Sequence, residues 1–223
     1  MFVEKPLCLT LDELKDIEQT CVNNTDRILM VGFNRRFAPM VMKIKALLTG
    51  VPGPKALIIT VNAGNIPSTH WIQDLKVGGG RIIGEACHYI DLLYYLVGAP
   101  VIRYYTCKLN EGVGDTVSIQ FEFTDGSIGS IHYYANGSKS YPKERLEVFA
   151  NGRVLKIDNF RKLTGYGWPN FSKLKLWRQD KGNKACVKAF VESVTSGATA
   201  PIPFNQLMEV SRLSLAIAES LRK

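Results

Sequence analysis

Glu85, His88 and Asp91 fall within one short stretch, directly after the glycine triplet Gly78-Gly79-Gly80. An imidazole can take or give a proton near neutral pH, and carboxylates three residues away can orient it or bind substrate hydroxyls. From Glu85 onward Ala86, Ile90, Leu93, Leu96 and Val97 recur at helical spacing, which predicts a helix over 85–97. Because successive members are three positions apart, the polar groups lean to one side of that helix beside its apolar stripe, at a pocket edge. The plainer alternative is a buried histidine that bridges neighbouring elements. The triplet lacks the GxGxxG spacing and the following lysine and serine or threonine of phosphate loops. It reads as a turn that allows close backbone approach.

Two other segments carry usable chemistry. In Glu4-Lys5-Pro6 the proline pushes the backbone of Lys5 toward an extended conformation, so its side chain is held out at a strand end. Open parallel sheets place ligand chemistry at such ends; the alternative is a surface lysine at a frayed terminus. Ile28-Leu29-Met30-Val31-Gly32-Phe33 is a continuous apolar run, the pattern of a strand buried on both faces. Asn34-Arg35-Arg36-Phe37 follows it at once, so Asn34 and one arginine should emerge at the functional edge to meet carboxylate, hydroxyl or phosphate groups. Arginines are not favoured by the dipole at a helix start, which argues for a functional role.

These groups need elements to position them. Thr10 and Glu13 form a capping box before an amphipathic helix through Leu11, Leu14, Ile17 and Cys21. A second helix runs from about Ala38 to Leu48. Strands are expected over 56–61, 102–109, 116–123, 128–134, 146–150 and 153–157, with turns at Thr124-Asp125-Gly126, Asn136-Gly137 and Asn151-Gly152. Tyr166-Gly167-Trp168-Pro169 reads as a loop. Helices over 184–196 and 205–221 close the chain, separated by Pro201-Ile202-Pro203. The fold class is α+β: a large, mostly antiparallel open sheet with helices on one face, preceded by the tail of a Rossmann-type α/β domain.

Composition narrows the function classes. The chain has 223 residues, 46% hydrophobic and 22% charged, as in ordinary globular proteins. No apolar run is long enough for a membrane span, and the first residues do not form a signal peptide. Five widely spaced cysteines without a CxxC pair argue for reduced thiols in a cytoplasmic protein, against a disulfide framework and against a structural zinc. The net charge of +8 is spread along the chain without a nucleic-acid motif, so it suits an anionic small molecule better than nucleic acid.

Glu4-Lys5-Pro6, the strand leading to Asn34-Arg35-Arg36-Phe37, and the glycine triplet with His88-Tyr89-Ile90-Asp91 occur in an order that resembles the Gfo/Idh/MocA oxidoreductases over nearly the whole chain. The resemblance implies a Rossmann domain for NAD or NADP, followed by an α/β domain whose open sheet forms a homodimer or tetramer interface. The glycine-rich dinucleotide fingerprint is absent here. The chain therefore reads as residues 1–35, the remnant of a nucleotide domain, and residues 36–223, a substrate-binding and oligomerisation domain. By the same resemblance Glu4, Lys5 and Pro6 lie at the cofactor, Lys5 acts near the nicotinamide and the reacting hydroxyl, and His88 transfers the proton. Many relatives carry an aspartate four residues before the histidine; that position is Gly84 here, with Glu85 one step later. Asn34, Arg36, Glu85 and Asp91 are the candidate substrate contacts. The implied activity, in a longer parent, is NAD(P)-dependent oxidation or reduction at a hydroxyl of a sugar, cyclitol or sugar nucleotide. The chain alone is expected to be inactive. A non-catalytic ligand-binding or dimerisation module is the alternative.

Overall fold

The computed structural model describes residues 1–110 and 115–222. Thr10 caps α1 (Leu11–Val22): its side chain accepts from the Glu13 backbone N–H, and the Glu13 carboxylate accepts from the N–H groups of Leu9 and Thr10. Such caps contribute about 1 kcal/mol. The buried apolar run yields a shorter strand than its length suggests. β1 (Phe2–Val3) and β2 (Met30–Val31) pair in parallel. Beyond Gly32 the chain tightens into a 3-10 turn over Asn34–Phe37, which leads into α2 (Pro39–Leu48) with proline at its first turn.

The large sheet contains β3 (Ala56–Asn62), β4 (Val101–Lys108), β5 (Val117–Phe123), β6 (Ile128–Tyr134), β7 (Glu144–Ala150), β8 (Arg153–Asp158), β9 (Lys162–Tyr166) and β10 (Lys173–Lys175). Their order is β10-β9-β8-β7-β3-β6-β5-β4, with only β3 and β6 parallel. Asn151 (φ 44°) and Gly152 (φ 73°) make the expected two-residue hairpin between β7 and β8. Asn136-Gly137, by contrast, lies on a crossover, because β3 is inserted between β6 and β7. β9 and β10 add two strands where the sequence suggested none; β9 ends at Tyr166, the first residue of the expected loop.

One side chain in two along the strands points into the core. Leu57, Ile59, Val61, Ile119, Phe121, Ile131, Tyr133, Leu146, Val148, Leu155 and Ile157 are almost completely buried. Against them lies α3 (Cys87–Val97), buried at every residue except Tyr95. A helix apolar nearly all round needs cover on all sides; here it packs on β6, on α5 (Phe204–Arg222) and on the 34–37 turn. α4 (Asn183–Ser196) packs on the same turn. α3 starts later than expected because residues Ile82–Ala86 form a π-helical turn. The extra residue per turn rotates Glu85 out of the α3 register. The glycine triplet does permit close approach, since a Cβ on Gly78 would lie 2.4 Å from Ile72 Cα.

Candidate active site

Lys5 emerges two residues past β1, and its ammonium donates to the Gly84 carbonyl oxygen, 2.5 Å away in the π-helical turn. At Gly84, the position where the resemblance led to an expected aspartate, Lys5 thus meets a backbone carbonyl. One turn further, His88 is 6% exposed, with the Phe33 ring packed edge-on at 6.3 Å. Its buried Nδ1 has no hydrogen-bond partner among the described residues. Burial, then the charges of Arg35, Lys5, Lys181 and Lys143, push its pKa well below the ordinary value for histidine. His88 is therefore a neutral imidazole at physiological pH.

Two carboxylates organise the cations around it. Glu144, the first residue of β7, points inward and accepts from Arg35 Nε at 3.2 Å, Arg35 Nη2 at 2.9 Å and Lys181 Nζ at 2.7 Å. Arg35 also reaches the Tyr89 hydroxyl at 3.2 Å and stacks on that ring. Burial raises the pKa of Glu144, but Arg35 and Lys181 outweigh it and hold the carboxyl below its ordinary range. Glu85 accepts from Lys143 Nζ, from the Tyr133 hydroxyl and from Arg81 Nη2. Burial again acts upward, yet these partners bring Glu85 down to about 2. Arg81 is fixed by donating to the carbonyls of Gly64 and Ala63.

The expected cluster of three divides between separate partners. Glu85 reaches toward β6 and Lys143. Asp91 is 1% exposed and binds Arg36 through both carboxylate oxygens. Arg36 also donates to Gln206 at 2.9 Å and stacks on Tyr95. The π-turn and the burial of α3 separate these groups, so Arg36 and Asp91 form an internal ion pair rather than a substrate surface. Of the two arginines, Arg35 is the one beside His88. Asn34, also expected on substrate, donates to the Lys181 carbonyl at 2.7 Å and to Asn183 Oδ1 at 3.2 Å. It thereby seats the loop that carries Lys181. Glu4 is exposed and lies against Gly32, while Pro6 lines a small apolar void with Cys8 and Phe33.

Lys143, Glu144, Lys181, Arg81, Tyr89 and Tyr133 were not singled out from sequence. Glu144 had a readable signal: it shares the inward register of Leu146, Val148 and Ala150, where a carboxylate must find a buried cation. Lys181, far along the chain in an Asp-Lys-Gly-Asn turn, had none. A cleft of about 630 Å³, lined in part by Gln73, Arg81, Lys108 and Asp115, does not include His88.

Residues 54–155 match the GFO/IDH/MocA C-terminal domain. Over 175 residues, 74% of this chain, the sequence is 31% identical to myo-inositol 2-dehydrogenase of Thermotoga maritima. It is 24% identical over 213 residues, 89% of the chain, to inositol 2-dehydrogenase of Rhizobium meliloti. The matches span 51% and 64% of those two relatives. The structure of levoglucosan dehydrogenase in complex with NADH and levoglucosan superposes with a TM-score of 0.81 at 21% identity, covering 99% of this chain and 71% of that one. The helix-backed open sheet of this chain, with its preceding parallel strand pair, thus shares the fold of that structure. Residues 54–155 carry the C-terminal domain of the Gfo/Idh/MocA family, and the chain as a whole is similar to its members.

Proposed function

We propose that this chain supplies the substrate side and the proton-transfer residue of an NAD(P)-dependent dehydrogenase acting on a hydroxyl of a sugar, cyclitol or sugar nucleotide. The observation that carries the reading is a neutral, buried His88 with an unpartnered Nδ1, one helical turn past the Gly84 carbonyl that binds Lys5. The relatives named as inositol dehydrogenases support the substrate class.

The residues present fit the reactive end of a nicotinamide cofactor. Lys5 stands at the carboxyl end of β1, and Gly32 lies just past β2, its N–H donating to Val3 at 2.8 Å. Among the described residues no glycine-rich turn follows either parallel strand to cradle a pyrophosphate. When bound, the nicotinamide supplies the hydride acceptor for the carbinol carbon. His88 takes the hydroxyl proton, and the Lys5 ammonium stabilises the oxygen as negative charge develops. In the reverse direction His88 returns the proton to the alkoxide. Glu85 and Glu144 hold the surrounding cations in place, and Asn34 orients the Lys181 loop.

Turnover of cyclitols, aldoses and sugar nucleotides with NAD⁺ and NADP⁺ in the natural protein tests this. His88→Asn should lower kcat by about 10²–10⁴ with oligomeric state preserved. Unchanged kcat with lost folding supports the structural alternative instead. The isolated 223-residue chain should show no micromolar binding of NADH by cofactor fluorescence.

The outward sheet face carries a cross-strand row of Ile128, Ala56, Phe149, Val154 and Tyr166, with Ile128 56% and Tyr166 56% exposed. Apolar exposure of this extent supports a homodimer or tetramer formed through that face, which sedimentation of wild type against Ile128→Lys tests.

A further inference from the structure

The cleft that excludes His88 lies where the glycine turn, the end of β4, Asp115 before β5 and the last turn of α5 meet. Hydrogen bonds fasten its walls to one another. Lys108 Nζ donates to the Leu221 carbonyl oxygen at 2.6 Å, tying β4 to α5. Arg222 Nη2 donates to the Gly79 carbonyl oxygen at 2.8 Å, tying α5 to the glycine turn. Gln73 Nε2 donates to Asp115 Oδ2 at 2.7 Å, tying the 71–73 turn to the approach of β5. The volume these ties frame, about 630 Å³, is that of a small-molecule site.

The lining is amphipathic. Leu75, Ile82, Leu109 and Leu221 supply apolar surface. Lys108 sits on the carbonyl of the residue next to Arg222, which brings both cations to one turn of α5. An ammonium has three donors and a guanidinium five, so after one bond each to the backbone both keep donors for a ligand. Arg81 also borders the cleft, but Glu85 already balances its charge. Asp115 is the one carboxylate among the described lining residues, and one of its oxygens is taken by Gln73. Two cations with spare donors beside a single carboxylate suit an anionic group, and repel a cation. We propose that this cleft binds a small organic anion: its carboxylate or phosphate takes the remaining donors of Lys108 and Arg222, and its apolar body lies on the leucines and Ile82. Neither Lys5 nor His88 lines the cleft, so the site is separate from the one that carries the dehydrogenase reading.

Phenylacetate, phenyl phosphate and the neutral 2-phenylethanol are titrated into the ¹⁵N-labelled 223-residue chain at constant ionic strength, with acetate and inorganic phosphate as anions lacking the body. Phenylacetate or phenyl phosphate should bind about tenfold tighter than the other three and shift the amide resonances of Gly79 and Gly80. The tighter of the two tells a carboxylate site from a phosphate site. Lys108→Gln and Arg222→Gln should each weaken binding about tenfold, while Lys108→Arg and Arg222→Lys should retain it. Asp115→Asn, which still accepts from Gln73 but loses the opposing charge, should tighten binding; this keeps the test open where a Gln variant fails to fold. No binding at millimolar concentration, equal binding of 2-phenylethanol, acetate or inorganic phosphate, or unmoved Gly79 and Gly80 amides overturns the proposal. So does an affinity that survives either Gln variant or falls in Asp115→Asn. None of these readouts involves turnover, so loss of the dehydrogenase reading would show separately, as unchanged kcat in His88→Asn.

Discussion

Glu144 and Arg35 form a two-pronged ion pair beneath His88, with Nε and Nη2 of the arginine 3.2 and 2.9 Å from the two carboxylate oxygens. Both side chains are almost completely buried, Arg35 7% and Glu144 3% exposed. Removing one partner of such a pair strands the other in a low-dielectric interior. Glu144→Ala should therefore destabilise the chain by about 3–5 kcal/mol, measured by urea unfolding. Glu144→Gln, which keeps acceptor and donor capacity, should cost less.

Arg36 and Asp91 repeat the arrangement on the other side of α3. Asp91→Ala should lower stability by about 3–5 kcal/mol. In the natural protein its effect on KM should be small, since no free surface of either residue meets substrate. A large rise in KM with unchanged stability would restore the substrate-contact role expected from the sequence.

Gly182 connects backbone geometry to site electrostatics. Its φ is +84°, and a Cβ there would lie 2.4 Å from the Asn34 carbonyl oxygen and 2.5 Å from the Ala38 nitrogen. Gly182→Ala should cost about 1–3 kcal/mol for the left-handed backbone, and more for the clash. It should also displace Lys181 and shift the His88 ring resonances in wild-type buffer conditions.

The acid limb of stability should carry the signature of Glu85. Its folded pKa, about 2, lies below the unfolded value near 4.5. The unfolded chain then binds more protons across that window, so the contribution is complete above the unfolded value and lost as pH falls toward 2. Glu85→Gln should flatten the decline in unfolding free energy over this window. An equally steep decline in the variant would assign it to other carboxylates.

Much of the scaffold was legible before any coordinates. The Thr10–Glu13 cap, the Asn151-Gly152 hairpin, the helical spacing of 86–97 and the alternation of 117–123 each depend on neighbours within a few residues. Such local preferences are written into the chain directly. The positions of Lys5 and His88 could also be read, because strand ends and helix faces follow from the same periodicities.

What the tertiary structure alone decided is which charge meets which. Arg35 and Glu144 are 109 residues apart, Glu85 and Lys143 are 58, and Arg36 and Asp91 are 55. Sequence spacing carries no information about such pairs; they are chosen by the insertion of β3 between β6 and β7 and by the packing of α3 against the sheet. The π-turn at 82–86 adds a rotation that no apolar period announces. The sequence by itself thus determined the elements that carry His88, the residue proposed to transfer the proton. Packing decided the field around that residue, because in a low-dielectric interior the nearest buried charges set the protonation state.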